Sequence, residues 1–216
     1  MATKRREKVT FAEIVTDDDR MKECLAVART AAKTDASILI LGETGVGKTL
    51  LAFAIHNASK RAGGPMVNCS AVSESLIESE LFGHEQGAFT SADRDRRGKF
   101  EQAANGTLFL DEIGNLSPST QAKILRAVED KEFERIGGEE TIVSDCRIIA
   151  ATNMTLDDLL HSGRFRQDLF YRLSEIVVEL PSLRERKKDI PVLISSLVAE
   201  FAGEFGKDIK SVSDVT

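Results

Sequence analysis

The sequence has little cysteine, and what it has is scattered. Cys24, Cys69 and Cys146 are odd in number and show no C-x-x-C spacing. That pattern argues against a disulfide framework or a zinc site and fits a reducing compartment. No apolar run approaches the ~18 residues that would span a membrane, and the N-terminus lacks the apolar core of a signal peptide. The expected location is cytoplasmic. Internal repeats and low-complexity tracts are absent. Positive charge is not in excess either: 29 Lys and Arg stand against 35 Asp and Glu, for a net charge of −6. The surface as a whole is therefore no general nucleic-acid patch. The one basic run, Lys4, Arg5, Arg6 and Lys8, reads as a solvated chain end.

What is present is ordinary for a soluble globular chain: 216 residues, 42% hydrophobic and 30% charged. That length suits one domain, or one domain with a short appendage. Short apolar runs alternate with helical patterns. Strands are expected at Ser37–Leu41, Met66–Asn68, Thr107–Leu110, Arg147–Ala151 and Ile176–Leu180. Helices of ten or more residues between them imply a parallel sheet covered on both faces. Ser75-x-x-Glu78 reads as a capping box for a helix over Leu76–Phe82. Gly83–Gly98 reads as a long loop or an interrupted helix. Ser117-Pro118 opens a helix with an apolar face of Ile124, Leu125 and Val128. Asp189 opens a last one, carrying Val192, Leu193, Leu197, Val198 and Phe201.

Two segments carry chemistry. Gly42-Glu43-Thr44-Gly45-Val46-Gly47-Lys48-Thr49 satisfies G-x-x-x-x-G-K-[ST] between a strand and a helix. Glycines there let backbone N–H groups wrap phosphate oxygens, and the helix adds its positive end. Lys48 is expected on the β- and γ-phosphates and the Thr49 hydroxyl on Mg²⁺. The strand Leu108-Phe109-Leu110 delivers Asp111 and Glu112 at its carboxyl end, the ligand-binding edge of open α/β sheets. Asp111 is expected to hold Mg²⁺, and Glu112 to orient or deprotonate the attacking water. Asn153, after the fourth strand, is placed either to reach the γ-phosphate or simply to turn the chain. None of the three histidines has metal spacing. His84 is read as a hinge tuner, and His56 and His161 as helix-surface residues.

The run from Glu80 to Ala92, ELFGHEQGAFTSA, closely resembles the ELFGHExGAFTGA signature of sigma-54-dependent activators, the AAA+ ATPases known as bacterial enhancer-binding proteins. Further matches follow in order: Val67–Ser70, Gly106–Gly114, Ala151–Asn153, Phe165–Leu173 and Leu180–Arg186. The resemblance runs from about Phe11 to about Phe201. It implies a P-loop NTPase fold, a three-layer α/β/α sandwich with a five-stranded parallel sheet, most of the helical lid being missing. It divides the chain into a basic arm over residues 1–10, the ATPase unit over 11–203, and a truncated lid or polar tail over 204–216. It further implies that Gly87, Ala88, Phe89, Thr90, Ser91 and Ala92 form a mobile loop contacting sigma-54, with Phe89 and Thr90 as the contact positions. Asn68 matches the residue that restrains the catalytic glutamate, Asn153 the γ-phosphate sensor, and Arg166 and Arg172 the arginine fingers that complete a neighbour's site in a hexameric ring.

Three departures from the family pattern stand out. Ser91 replaces the second glycine of GAFTGA, which costs on the order of 1 kcal/mol if the position needs a positive φ. Thr49 replaces the family's common glutamate. The chain has no tryptophan and no W-P-G-N-V-R-E-L segment, receiver domain or helix-turn-helix. The reading that follows is an ATP- and Mg²⁺-dependent remodeller of sigma-54 RNA polymerase. A module that binds ATP and joins full-length activators without opening promoters is the alternative, and a remodeller of a different partner is a third.

Overall fold

Five apolar runs pair into one parallel sheet. The computed structural model describes residues 9–70, 74–90 and 92–207. The sheet is built from β1 (Ile38–Leu41), β2 (Met66–Cys69), β5 (Thr107–Leu110), β8 (Arg147–Thr152) and β9 (Ile176–Glu179), in the order β2-β5-β8-β1-β9. Leu39 sits opposite both Ala150 and Val177, so β1 runs centrally between β8 and β9. All residues of β1, β5 and β8 are buried, as two covered faces require.

Side chains alternate between two cores. Leu39, Leu41, Leu108, Leu110, Ile148 and Ala150 face one side. There they meet α3 (Glu74–Phe82), α5 (Pro118–Glu129) and α7 (Gln167–Leu173) through Leu81, Ile124 and Leu169. The short helices α4 (Lys99–Gln102) and α6 (Leu156–His161) lie on the same side, contributing Phe100 and Leu159. Ile38, Ile40, Phe109, Ile149 and Ala151 face the other side, packed on α1 (Asp19–Ala32) and α2 (Lys48–Asn57). The α1 helix starts where the Asp18 carboxylate accepts from the Met21 N–H, a side-chain N-cap. Its C-terminal end is held from below. Arg147, 2% exposed, donates to the carbonyls of Ala31, Ala32 and Ala36.

Four sequence expectations change. Ser75 lies inside α3 rather than capping it, and Glu78 turns outward to Lys123, 2.7 Å away, and to Thr120. Gly83–Gly98 is a loop, as one reading has it, but not an open one. Its ends pair as an antiparallel ribbon, β3 (Gly83–His84) on β4 (Arg96–Arg97). His56 is no surface residue: it is 3% exposed, with Nδ1 2.8 Å from the Thr107 hydroxyl, because α2 is buried on nearly every side. His161 does sit on the surface, beside Asp157. The last helix, α8 (Asp189–Phe205), forms, but of its residues only Asp189 is buried; Ile194, Leu197 and Phe201 are exposed. A second ribbon, β6 (Glu132–Glu134) with β7 (Thr141–Val143), precedes β8. The basic run at 4–8 and the tail from 208 lie outside the described residues, as does Ser91.

Candidate active site

β1 ends at Leu41 and α2 begins at Lys48, leaving six residues to turn the chain. Gly45 and Gly47 take φ values of +86° and +108°. A Cβ at either would meet nothing within 4 Å, so the backbone angle, not crowding, calls for glycine there. Lys48 is 6% exposed. Its ammonium donates to the carbonyls of Gly42 at 2.8 Å and Glu43 at 3.2 Å, and lies 3.8 Å from a Glu112 carboxylate oxygen.

Asp111 and Glu112 follow β5 directly. The Asp111 carboxylate accepts from the Glu112 N–H at 3.1 Å. Burial pushes its pKa up, and Lys48 and that N–H only partly offset the rise. Glu112 holds a left-handed backbone, φ +56° and ψ +44°, which for a side-chain-bearing residue costs on the order of 1–2 kcal/mol. Strain of this kind collects at functional sites. Its second oxygen, Oε2, is buried without a hydrogen-bond partner among the described residues, so the fold leaves one acceptor for something else to satisfy.

These groups surround a cavity of about 320 Å³ lined by Thr44, Gly45, Gly47, Lys48, Thr49, Asp111 and Glu112. Leu50 and Phe53, which sequence reasoning did not single out, complete the wall; their signal was position, in the first and second turns of the helix that the lysine opens. The lining fits a nucleotide triphosphate with its metal. The glycine turn offers open backbone, and Thr49 and Asp111 offer hard oxygens. Among the described residues no group of three or more His, Cys, Asp or Glu could hold an ion alone.

The other sequence candidates stand apart from the cavity. Asn68 is on β2, its carboxamide oxygen accepting from the Ser70 hydroxyl at 3.1 Å. Asn153 is exposed just after β8, whose Thr152 carbonyl accepts from Gly42 N–H at 3.3 Å. Arg166 makes a two-pronged pair with Asp168 at 3.0 and 2.7 Å. Arg172 faces Glu175 at 3.5 Å, while its Nε is buried and unpartnered among the described residues. None of these four lines the cavity of its own chain.

Gly87–Thr90 and Ala92 lie between β3 and β4 in the chain. Gly87 N–H donates to Ala92 carbonyl and Ala88 N–H to Glu85 carbonyl, at 2.9 and 3.1 Å. The half-buried Phe89 ring sits edge-on to His84, centroids 4.9 Å apart. His84 in turn bonds the Ser79 hydroxyl at 2.7 Å. The second ribbon braces this base, with Glu85 N–H donating to the Ile136 carbonyl and Ile136 N–H to the Gly83 carbonyl, both at 3.1 Å.

Residues 14–179 match the sigma-54 interaction domain family. The chain belongs to that family. The Nif-specific regulatory protein of Azospirillum lipoferum is 50% identical over 196 residues, 90% of this chain and 31% of that protein. The transcriptional regulatory protein ZraR of Salmonella typhimurium is 49% identical over 192 residues, 88% of this chain and 44% of that protein. The chain thus spans less than half the length of these relatives. NtrX from Brucella abortus in complex with ATP superposes with a TM-score of 0.85 at 35% identity, over 93% of this chain and 44% of that one. The P-loop NTPase domain of a sigma-54 transport activator from E. coli is similar in fold, with a TM-score of 0.54 at 16% identity over 78% of this chain and 99% of that one. The α/β P-loop NTPase fold expected from the sequence is the fold observed.

Proposed function

We propose that this chain is a Mg²⁺-dependent ATPase unit of a transcription activator, which couples ATP hydrolysis to opening of sigma-54 RNA polymerase promoter complexes. The observation that carries the reading is the convergence of Lys48, Thr49, Asp111 and Glu112 on one cavity at the carboxyl edge of the sheet. Lys48 neutralises transferring phosphate charge, Thr49 and Asp111 hold the metal, and Glu112 Oε2 takes the proton of an attacking water. Mg²⁺ supplies charge neutralisation across the phosphates.

The chain path supports the coupling. The ribbon carrying Gly87–Ala92 is inserted between β2, which bears Asn68, and β5, which Asp111 and Glu112 follow. β2 leads to the ribbon through α3 and the ribbon leads to β5 through α4, so a shift of either helix against the sheet would carry the ribbon with it. In this reading Phe89 and Thr90 meet sigma-54, Asn68 restrains Glu112, and Asn153 reads the γ-phosphate. Arg166 and Arg172, standing off their own cavity, serve the cavity of the next subunit in a ring. Residues 11–203 form the ATPase unit, flanked by a basic arm over 1–10 and by a truncated start of a lid or a polar tail over 204–216, and the protein acts in the cytoplasm.

The test is open-complex formation on a sigma-54 promoter with this protein and ATP. Promoter melting that depends on hydrolysable ATP is the expected result. ATP turnover without melting, together with inhibition of a full-length activator on mixing, would favour the alternative of a co-assembling module.

A further inference from the structure

Arg186 is buried, 6% exposed, beneath the phosphate-binding turn. Its Nη2 donates to the Val46 carbonyl at 2.9 Å. Its Nη1 lies 3.4 Å from Asp189, and its Nε is buried without a partner among the described residues. Asp189 is fully buried and accepts from the Thr16 hydroxyl and from the N–H groups of Asp17 and Asp18 at 2.7–3.0 Å. An apolar side chain of similar volume commonly serves a core as well as a buried ion pair. Asp189 accounts for one arm of the guanidinium; the arm that holds the Val46 carbonyl needs a separate reason.

The peptide it holds gives a reason. Cis peptide bonds are absent among the described residues, so the Val46 carbonyl and the Gly47 N–H point in opposite directions from one peptide plane. With the carbonyl tied to Arg186 behind the turn, the Gly47 N–H is turned the other way, toward the cavity that Gly47 lines. A peptide preceding glycine is the kind that flips at little cost, because glycine tolerates both signs of φ. Gly47 holds +108°. The same segment grips the turn again where Arg184 pairs with the Glu43 carboxylate.

We propose that Arg186 is a positioning residue that locks the Val46–Gly47 peptide so that its N–H is presented to a bound phosphate. The inference rests on the nucleotide reading above. Arg186→Met keeps the volume but removes the donor, and Arg186→Lys restores one donor. Titration with fluorescent ATP and ADP should show Arg186→Met binding both about tenfold more weakly, the value of one charge-assisted hydrogen bond. Steady-state turnover should show KM raised by a similar factor while kcat falls less than about threefold, and Arg186→Lys should recover most of the affinity. Equal affinity in wild type and Arg186→Met, or a loss confined to kcat, overturns the inference alone. Wild-type protein that binds neither nucleotide overturns the nucleotide reading and the inference with it.

Discussion

Glu112 places one carboxylate oxygen 3.8 Å from the Lys48 ammonium and leaves the other buried without a partner among the described residues. In the proposed mechanism the two groups divide the cavity's chemistry between them: charge for the phosphates from Lys48, a proton acceptor from Glu112. Glu112→Gln keeps the shape and removes the basic oxygen. Hydrolysis should fall at least ~100-fold, the usual contribution of a positioned base, while ATP affinity stays within about threefold. Phosphate release assayed beside nucleotide titration checks both.

Asp111 carries a cost as well as a role. Burial raises its carboxyl pKa in the fold, so ionising it works against stability. The sign follows from linkage: stability is full below the unfolded pKa and is lost as pH rises through the higher folded value. Asp111→Asn removes that loss. In EDTA, without nucleotide, the variant should match wild type near pH 4 and melt higher than wild type at pH 7. Its Mg²⁺-dependent turnover should be lost. Thermal melts across that pH range read the first effect, and a variant less stable than wild type at pH 7 would contradict it.

The sheet and the cavity were legible because their signals are local. β1, β5 and β8 are continuous apolar runs, and the phosphate turn is one contiguous motif. The errors arose where neighbours in space decide. His56 follows a helical pattern, yet α2 packs on both the sheet and α1, so the side expected to meet water meets Thr107. The ribbon β6–β7 alternates, with Phe133 in the core and Ile142 packed against it, but three residues per strand are too short a run to read as a strand from sequence. The α1 helix could have been found from Asp18 and the spacing of Met21, Leu25, Ala28 and Ala32. Arg184 and Arg186 sat in a recognised motif, but their partners, Glu43 and Val46, lie 140 or more residues earlier in the chain.

Arg147 supports α1 from the first residue of β8. Its guanidinium satisfies the Ala31 and Ala32 carbonyls at the helix end and the Ala36 carbonyl in the connection to β1. Burial lowers its pKa, as expected for a charge with little water nearby. Arg147→Met takes the donor from the Ala32 and Ala36 carbonyls, each a penalty of about 1–3 kcal/mol before relaxation, while the Ala31 carbonyl keeps the Thr34 N–H and hydroxyl. Urea unfolding should show a loss of about 3 kcal/mol, of which Arg147→Lys recovers part. A loss below about 1 kcal/mol would mean that water reaches the helix end.

The role proposed for Phe89 predicts that remodelling and hydrolysis can be separated. Its ring is only half-buried, rests on His84 at the ribbon's root, and belongs to neither hydrophobic core. Removing it should cost the fold less than about 1 kcal/mol, well below the 3–5 kcal/mol of a core Phe→Ala change. An apolar contact with a partner, by contrast, would lose most of the ring's transfer energy, about 2 kcal/mol or more per subunit, and a ring of subunits multiplies that loss. Phe89→Ala should therefore keep its melting temperature within a few degrees and its ATP turnover within about twofold, while binding to purified sigma-54 and promoter melting both disappear. If the variant instead loses ATP turnover and melting together, the ribbon helps shape the nucleotide cavity, and its separate role as a contact surface fails.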